Sequence, residues 1–368
     1  MPEPFRVLSL DGGGMRGTYT ATYLDRVAAT FARQREIPRI DIGAAFDLIV
    51  GTSTGGIIAS ALAADVPLTK VVALYRQHGK AIFERKLPTD LVTATIDLRE
   101  RGRSLARGEK ALRKALEDVL GEQTLGGIYK ARKIAMAITA VELSQHRSWV
   151  FKTPHLKGSN HRDDGYSLVD VCLATSAAPV YRALAAVDHP DGGGGYNVFA
   201  DGGLWANNPV LVGLIDALEM TEPGRPIHVF CLGTCPRPAG EQVARTALNR
   251  GLPQWKFGGD AASLSIDAQE FAFDNMARML AKHTGRECKI VRFPSEPTPA
   301  ALNAHLDIDD TTEASASALI NQARTDADMT NSKCGRPDDA EGQLICNLFH
   351  NAPAGVQAPA AQKDDRHV

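Results

Sequence analysis

Twice near its start the chain runs a short, mostly apolar stretch into a cluster of glycines and then into a helical pattern. Residues 5–10, FRVLSL, lead into DGGGMRG; residues 46–50, FDLIV, lead into GTSTGG. Strands of this kind are buried on both faces, and a strand that passes straight into a helix belongs to a parallel crossover unit, not a hairpin. Further strand-like runs at 133–141, 196–200, 227–232 and 289–293 alternate with helical patterns at 17–35, 55–64, 68–79, 109–120, 167–176, 209–220 and 264–283. The alternation predicts an α/β fold of three layers, a mostly parallel central sheet with helices on both faces.

No internal repeat and no Pro/Gly/Ser linker divides the 368 residues, so one domain over residues 1–350 is expected. The closing stretch 351–368, NAPAGVQAPAAQKDDRHV, is Ala/Pro/polar and reads as a disordered tail. A net charge of −2 gives the whole molecule no attraction for nucleic acid, and neither DNA nor RNA is an expected partner. The charge is uneven, however: residues 80–114 carry ten Lys/Arg against five Asp/Glu, and residues 301–368 carry eleven Asp/Glu against five Lys/Arg. The amino-terminal apolar run is only a strand long, and no segment has the length of a membrane span, which points to a cytoplasmic location. Six scattered cysteines without paired ligand spacing read as reduced thiols, with no metal and no cofactor expected.

The glycine clusters carry the chemistry. Gly12, Gly14 and Gly17 satisfy a G-x-G-x-x-G spacing, a weak signal that suits a nucleotide phosphate or the oxyanion of a reaction intermediate equally well. The second cluster is more specific. Gly51-Thr52-Ser53-Thr54-Gly55 is a G-x-S-x-G turn between a strand and a small-residue helix, the setting of a nucleophile elbow. Gly51, Gly55 and Gly56 leave room for the turn, which lifts Ser53 to the carboxyl edge of the sheet beside a helix amino terminus. Such a serine needs a base. His189, His228, His305 and His350 all lack a suitable context. Asp201, in FADGGLWANNP, follows a strand and is better placed. The same residues equally describe an Asp-Gly turn with Asn208 capping a helix at Pro209, and the turn alone leaves both readings open.

Taken together, LSLDGGGMRG, GTSTGG, ATSAAPVY and FADGGLWANNP, in this order and spacing, resemble the patatin-like phospholipase family over a motif-bearing core of residues 5–235; residues 236–350 carry less of the likeness. The resemblance implies a lipid acyl hydrolase with a patatin-like fold. Ser53 is then the nucleophile and Asp201 its base, without histidine, and the residues Gly12, Gly13, Gly14, Arg16 and Gly17 form the oxyanion hole. The N–H groups of Gly13 and Gly14 are its expected donors. Arg16 reads equally as an electrostatic helper or a solvated arginine. An aspartate of ordinary pKa, near ~4, is a weak base, so oxyanion stabilisation carries most of the expected catalysis.

GGLWANNP and the later LDIDDTTEASASALINQA are also similar to bacterial members activated by cyclic nucleotides in antiviral defence. That likeness implies a latent phospholipase that acts peripherally on the inner membrane, with a phospholipid surface as substrate. It further implies a cyclic nucleotide activator, an anion that the charge balance of the basic 80–114 segment would suit; a homo-oligomer is a separate expectation. The alternatives are an unregulated lipase or lysophospholipase, a nucleotide-dependent oxidoreductase built on the glycine loop with Asp41 as its acidic partner, and an idle scaffold. The ATSAAPVY stretch reads as core helix broken at Pro179. Tyr19, Tyr23, Val27 and Phe31, at helical spacing, read as core and not as an acyl groove.

Overall fold

The computed structural model describes residues 2–86, 91–235, 243–251, 254–255, 259–294 and 298–356. In chain order its elements are β1 (Phe5–Leu10), α1 (Gly17–Gln34), β2 (Leu48–Thr52), α2 (Thr54–Ala63), α3 (Leu68–Ile82), α4 (Leu91–Leu120), α5 (Leu125–Arg132) and β3 (Ala135–Glu142). Next come β4 (Arg147–Lys152), α6 (Leu168–Thr175), β5 (Ala185–Asp188), β6 (Tyr196–Asp201), α7 (Gly203–Ala206) and α8 (Val210–Met220). The chain continues through β7 (Ile227–Leu232), α9 (Gly259–Lys282), β8 (Cys288–Phe293), α10 (Glu313–Cys334) and α11 (Ala340–Asn351).

All eight strands join one sheet. β1 lies between β2 and β7, parallel to both; β3 and β8 extend the parallel set on either side. β4, β6 and β5 complete it in antiparallel fashion. One detail of register positions everything that follows. β4 occupies one edge of β3, so β2 and β6 must share the other. Thr52 at the end of β2 sits opposite Thr139, and Asp201 at the end of β6 sits opposite Ala140. Consecutive residues of β3 therefore set the residue after β2 beside the end of β6.

Side chains alternate across this sheet with the strand period of two. Val7, Leu48, Val50, Ala135 and Val229 face α8 and α9; Leu8, Leu10, Ile49, Met136 and Phe230 face the layer of α1, α2, α6 and α10. The three-layer α/β expectation holds. Along α1, Tyr19, Tyr23, Val27 and Phe31 are buried as expected. α10 is tied to that helix by Tyr19 Oη donating to Asp326 (2.6 Å), a Tyr23–Thr330 hydroxyl bond (2.7 Å) and an Arg26–Asp328 ion pair (2.9 Å).

Some elements depart from the sequence reading. β4 and β5 are strands not recognised from sequence; β4 begins with the polar pair Arg147-Ser148 and is buried only at Trp149 and Phe151. α4 starts at Leu91, not 109, because Gly102, Gly108 and a run of charges obscure its apolar face. The tail also orders further than expected. Asp41 N–H donates to Pro353 O (2.8 Å), Arg35 to Ala352 O (2.7 Å) and Arg39 to Val356 O (2.7 Å). Residues 351–356 are therefore bound to the body, while 357–368 lie outside the described residues.

Candidate active site

Ser53 sits on the turn from β2 into α2, and two close approaches make that turn feasible. A Cβ on Gly51 would meet the Gly55 carbonyl carbon at 2.7 Å, and one on Gly55 would strike the Leu10 carbonyl. Ser53 itself adopts φ 53°, ψ −123°, a conformation costing a non-glycine residue about 1–3 kcal/mol that persists only where the surroundings over-determine it. They do so here. Ser53 N–H donates to Thr175 Oγ1 (2.8 Å), Thr175 Oγ1 donates to Thr139 O (2.6 Å), and the neighbouring Thr52 hydroxyl bonds Thr139 Oγ1 (2.7 Å). The Ser53 hydroxyl is left free to donate to Asp201 Oδ2, at 2.7 Å.

Asp201 is placed by the β3 register and by α6. Its N–H donates to Ala177 O (3.0 Å), and that of Gly202 to Thr175 O (3.2 Å). Thr175, inside the ATSAAPVY stretch read as plain core, thus holds both halves of the pair. The second carboxylate oxygen of Asp201 accepts from Gly203 N–H at 2.7 Å. Burial pushes the Asp201 carboxyl up to about 6, against the opposing pull of the Ser53 and Gly203 hydrogen bonds and the Arg182 charge. The aspartate is consequently a stronger base than one of ordinary pKa, and the expectation of a feeble base is revised.

The glycine loop crosses above this pair. Gly12 is locked in place: its N–H donates to Asn207 O (3.0 Å), while its carbonyl accepts from Asn207 Nδ2 (3.2 Å) and Thr234 Oγ1 (3.0 Å). Gly17 N–H turns back to the loop carbonyls of Gly14 and Met15. Among the backbone hydrogen bonds of the described residues, none uses the N–H of Gly13 or Gly14, and both residues line the cleft. Gly14 also needs its φ of +56°, and a Cβ there would collide with the Ile308 carbonyl. Thr54 Oγ1 donates to Gly14 O (2.7 Å), clamping the loop to the elbow. Arg16 is 4% exposed and donates from Nε to Gly13 O (3.4 Å), which removes the reading of a solvated arginine. Beneath the loop, Asp11 accepts from Arg292 (2.7 Å), whose guanidinium also pairs with Asp274.

Ser53 and Asp201 open onto a cleft walled by apolar side chains such as Ile57, Leu112, Leu204 and Ile266. No histidine is among its lining residues; His228 lies in β7 near Glu287, and His305 bonds Ser315. Among the described residues no group of three or more His, Cys, Asp or Glu is arranged to hold a metal ion. The part of the chain beyond 235 is far from idle. Ile266 and Ile308 line the cleft, Ile308 O accepts from Met15 N–H (2.9 Å), and Gln269 bridges Asn207 N–H (3.0 Å) and Gly203 O (3.1 Å). Nothing in the local patterning of these residues marks them, because their role arises only where α9 and the 300–312 segment fold over the loop.

A family model described as patatin-like phospholipase matches residues 8–214. A cGAMP-activated phospholipase of Pseudomonas aeruginosa is 37% identical over 278 residues, 74% of this chain and 74% of that protein. Another of Escherichia coli is 29% identical over 353 residues, 94% of this chain and 92% of the relative. A cUMP-AMP-activated phospholipase of Escherichia coli is 28% identical over 235 residues, 62% of this chain and 64% of the relative. The likeness thus reaches well beyond residue 240.

Proposed function

Given that this chain belongs to the patatin-like phospholipase family, we propose that it cleaves fatty-acyl esters of glycerophospholipids with Ser53 as nucleophile and Asp201 as base. The observation that carries the reading is the 2.7 Å hydrogen bond from Ser53 Oγ to Asp201, on the floor of an apolar cleft beside two uncommitted backbone N–H groups. As Oγ attacks the ester carbonyl carbon, its proton passes to Asp201 Oδ2. The carbonyl oxygen becomes an oxyanion facing the Gly13 and Gly14 N–H groups. Collapse breaks the ester C–O bond, and Asp201 returns the proton to the leaving alcohol of the lysophospholipid. Water, deprotonated by Asp201, then attacks the acyl-Ser53 ester; the acyl C–Oγ bond breaks, Asp201 returns the proton to Ser53 Oγ, and the fatty acid leaves. The oxidoreductase alternative loses its acidic partner, since Asp41 is paired with Arg132 at 2.5 Å.

The reading fixes the sign of the pH dependence. Protonated Asp201 cannot accept the serine proton, so kcat/KM for a neutral ester should fall about tenfold per unit below about pH 6 and level off above it. A pH–rate profile that stays flat down to about pH 4 would rule out Asp201, in this environment, as the base.

The enzyme acts, in this reading, as a latent effector at the inner membrane, switched on by a cyclic nucleotide and working as a homo-oligomer. Support for the nucleotide switch comes from the relatives, named as activated by cGAMP or cUMP-AMP. No helix among the described residues is long and apolar enough to cross a membrane, which suits peripheral action. The basic 80–114 segment supports it less than its composition promised. Arg107 pairs with Glu84 (2.8 Å), Arg113 with Asp170 (2.9 Å) and Lys86 with Asp310 (3.3 Å). An activator that binds only the competent state raises activity by population shift. Fatty-acid release from phospholipid vesicles should therefore be weak alone and rise with one member of a panel of cyclic di- and trinucleotides, with a thermal shift for the same member. Full activity without additive would leave an ordinary lipase.

A further inference from the structure

Two arginines line the cleft, and they are in different states. Arg16 donates to Gly13 O. Arg182 is 5% exposed, its Nε is buried without an acceptor, and its side chain makes no hydrogen bond or ion pair with any described residue. Folded chains rarely leave a guanidinium in this condition, because a desolvated cation is costly unless an anion or several acceptors meet it. The backbone that delivers it is strained as well. Val180, two residues earlier, is β-branched yet sits at φ +74°, a true outlier for such a residue. That turn is braced by Arg101 Nη1 donating to Val180 O (3.1 Å) and by Arg182 N–H donating to Ala178 O (2.8 Å). A strained backbone at Val180 and, two residues on, a guanidinium without a hydrogen-bond partner in the substrate cleft are features of a group that waits for a ligand.

We infer that Arg182 is a substrate-binding residue that takes the phosphodiester anion of the phospholipid head group while the ester lies at Ser53. The inference rests on the phospholipase reading above. A guanidinium suits this task, since its fork of donors matches two phosphate oxygens. The apolar walls exclude water and strengthen the contact. Burial pushes the Arg182 guanidinium down to about 10, against the opposing pull of Glu109, Tyr75 and Asp201. In the same position it would discriminate phospholipids from uncharged acyl esters, which offer it nothing.

The test compares Arg182→Met and Arg182→Lys with the wild-type full chain on two substrates: short-chain phosphatidylglycerol and an uncharged diacylglycerol of the same chain length. Inhibition of diacylglycerol cleavage by the non-hydrolysable diether phosphatidylglycerol, by neutral diether glycerol and by inorganic phosphate provides a binding readout. Arg182→Met should lose about 10- to 100-fold in kcat/KM on the phospholipid, and distinctly less on the diacylglycerol. Inhibition by the diether phospholipid should weaken in parallel while that by diether glycerol holds. Arg182→Lys, keeping the charge without the fork, should fall between. Inorganic phosphate that inhibits wild type and Arg182→Met alike would place the anion elsewhere and overturn the inference. So would equal losses on both substrates with a raised acid limb, since Arg182 would then act through Asp201. Thermal stability supplies a further check. Removing a buried unpaired charge for a side chain of similar volume should leave Tm equal or higher, and a marked fall in Tm would make Arg182 structural. If wild type cleaves the diacylglycerol but no phospholipid, the phospholipase reading fails, and the inference with it.

Discussion

Ser53→Ala and Asp201→Asn should each cut ester hydrolysis by about 10⁴-fold or more, and the double variant should be no worse than either alone. Groups that act as one unit lose their contribution together, as nucleophile and base do in other hydrolases. The fold should survive both changes. Asp201 in the folded chain is held near 6, above its ordinary 3.8. The ionised carboxylate therefore opposes folding at neutral pH, by about 3 kcal/mol on this shift. The sign is that of a raised folded pKa on an acid: the penalty grows as pH rises from about 4 to 6 and is constant above. Asp201→Asn should accordingly match or exceed wild type in Tm near about pH 7 and lose that advantage toward about pH 4. Near wild-type turnover in Asp201→Asn, or loss of activity from a single His→Ala change, would refute the pairing.

Gly13→Ala should lower kcat by about 10²–10³-fold with a smaller change in KM, because an oxyanion donor serves the transition state more than the bound substrate. The structure supplies the cause. A Cβ at this position runs into the Thr234 side chain, with Cβ at 2.6 Å, so the loop must shift its N–H away from the site. Steady-state kinetics on an uncharged ester measures both parameters. An unchanged kcat would return the glycine loop to a structural part.

The legible portion of this site was local. Gly51, Ser53 and Gly55 form a turn whose constraint lies within five residues, and such a turn is written in the residues themselves. Asp201 was ambiguous on local grounds, since an Asp-Gly turn needs no catalysis to explain it. What separates the readings is its register opposite Ala140 on β3, a pairing between residues 61 positions apart in the chain. Thr175 and Arg182 escaped for the same reason. One bonds a backbone N–H 122 residues away, and the other is conspicuous only for a partner it lacks. The carboxyl-terminal part was missed because Ile308, Gln269 and Arg292 act by covering the glycine loop, and that surface exists only once the sheet has formed. β4 and β5 were hidden by their position at the antiparallel end of the sheet, where exposure admits polar residues into strands.

Fluorophosphonate labelling followed by peptide mapping tests the central claim, that Ser53 is an activated nucleophile paired with Asp201. The reagent traps serines whose hydroxyl is deprotonated on attack and whose oxyanion is received. It should modify Ser53 alone, label Asp201→Asn far more slowly, and lose rate as pH falls below about 6. An adduct on Ser176, the other serine lining the cleft, or labelling that persists in Ser53→Ala, would contradict the account.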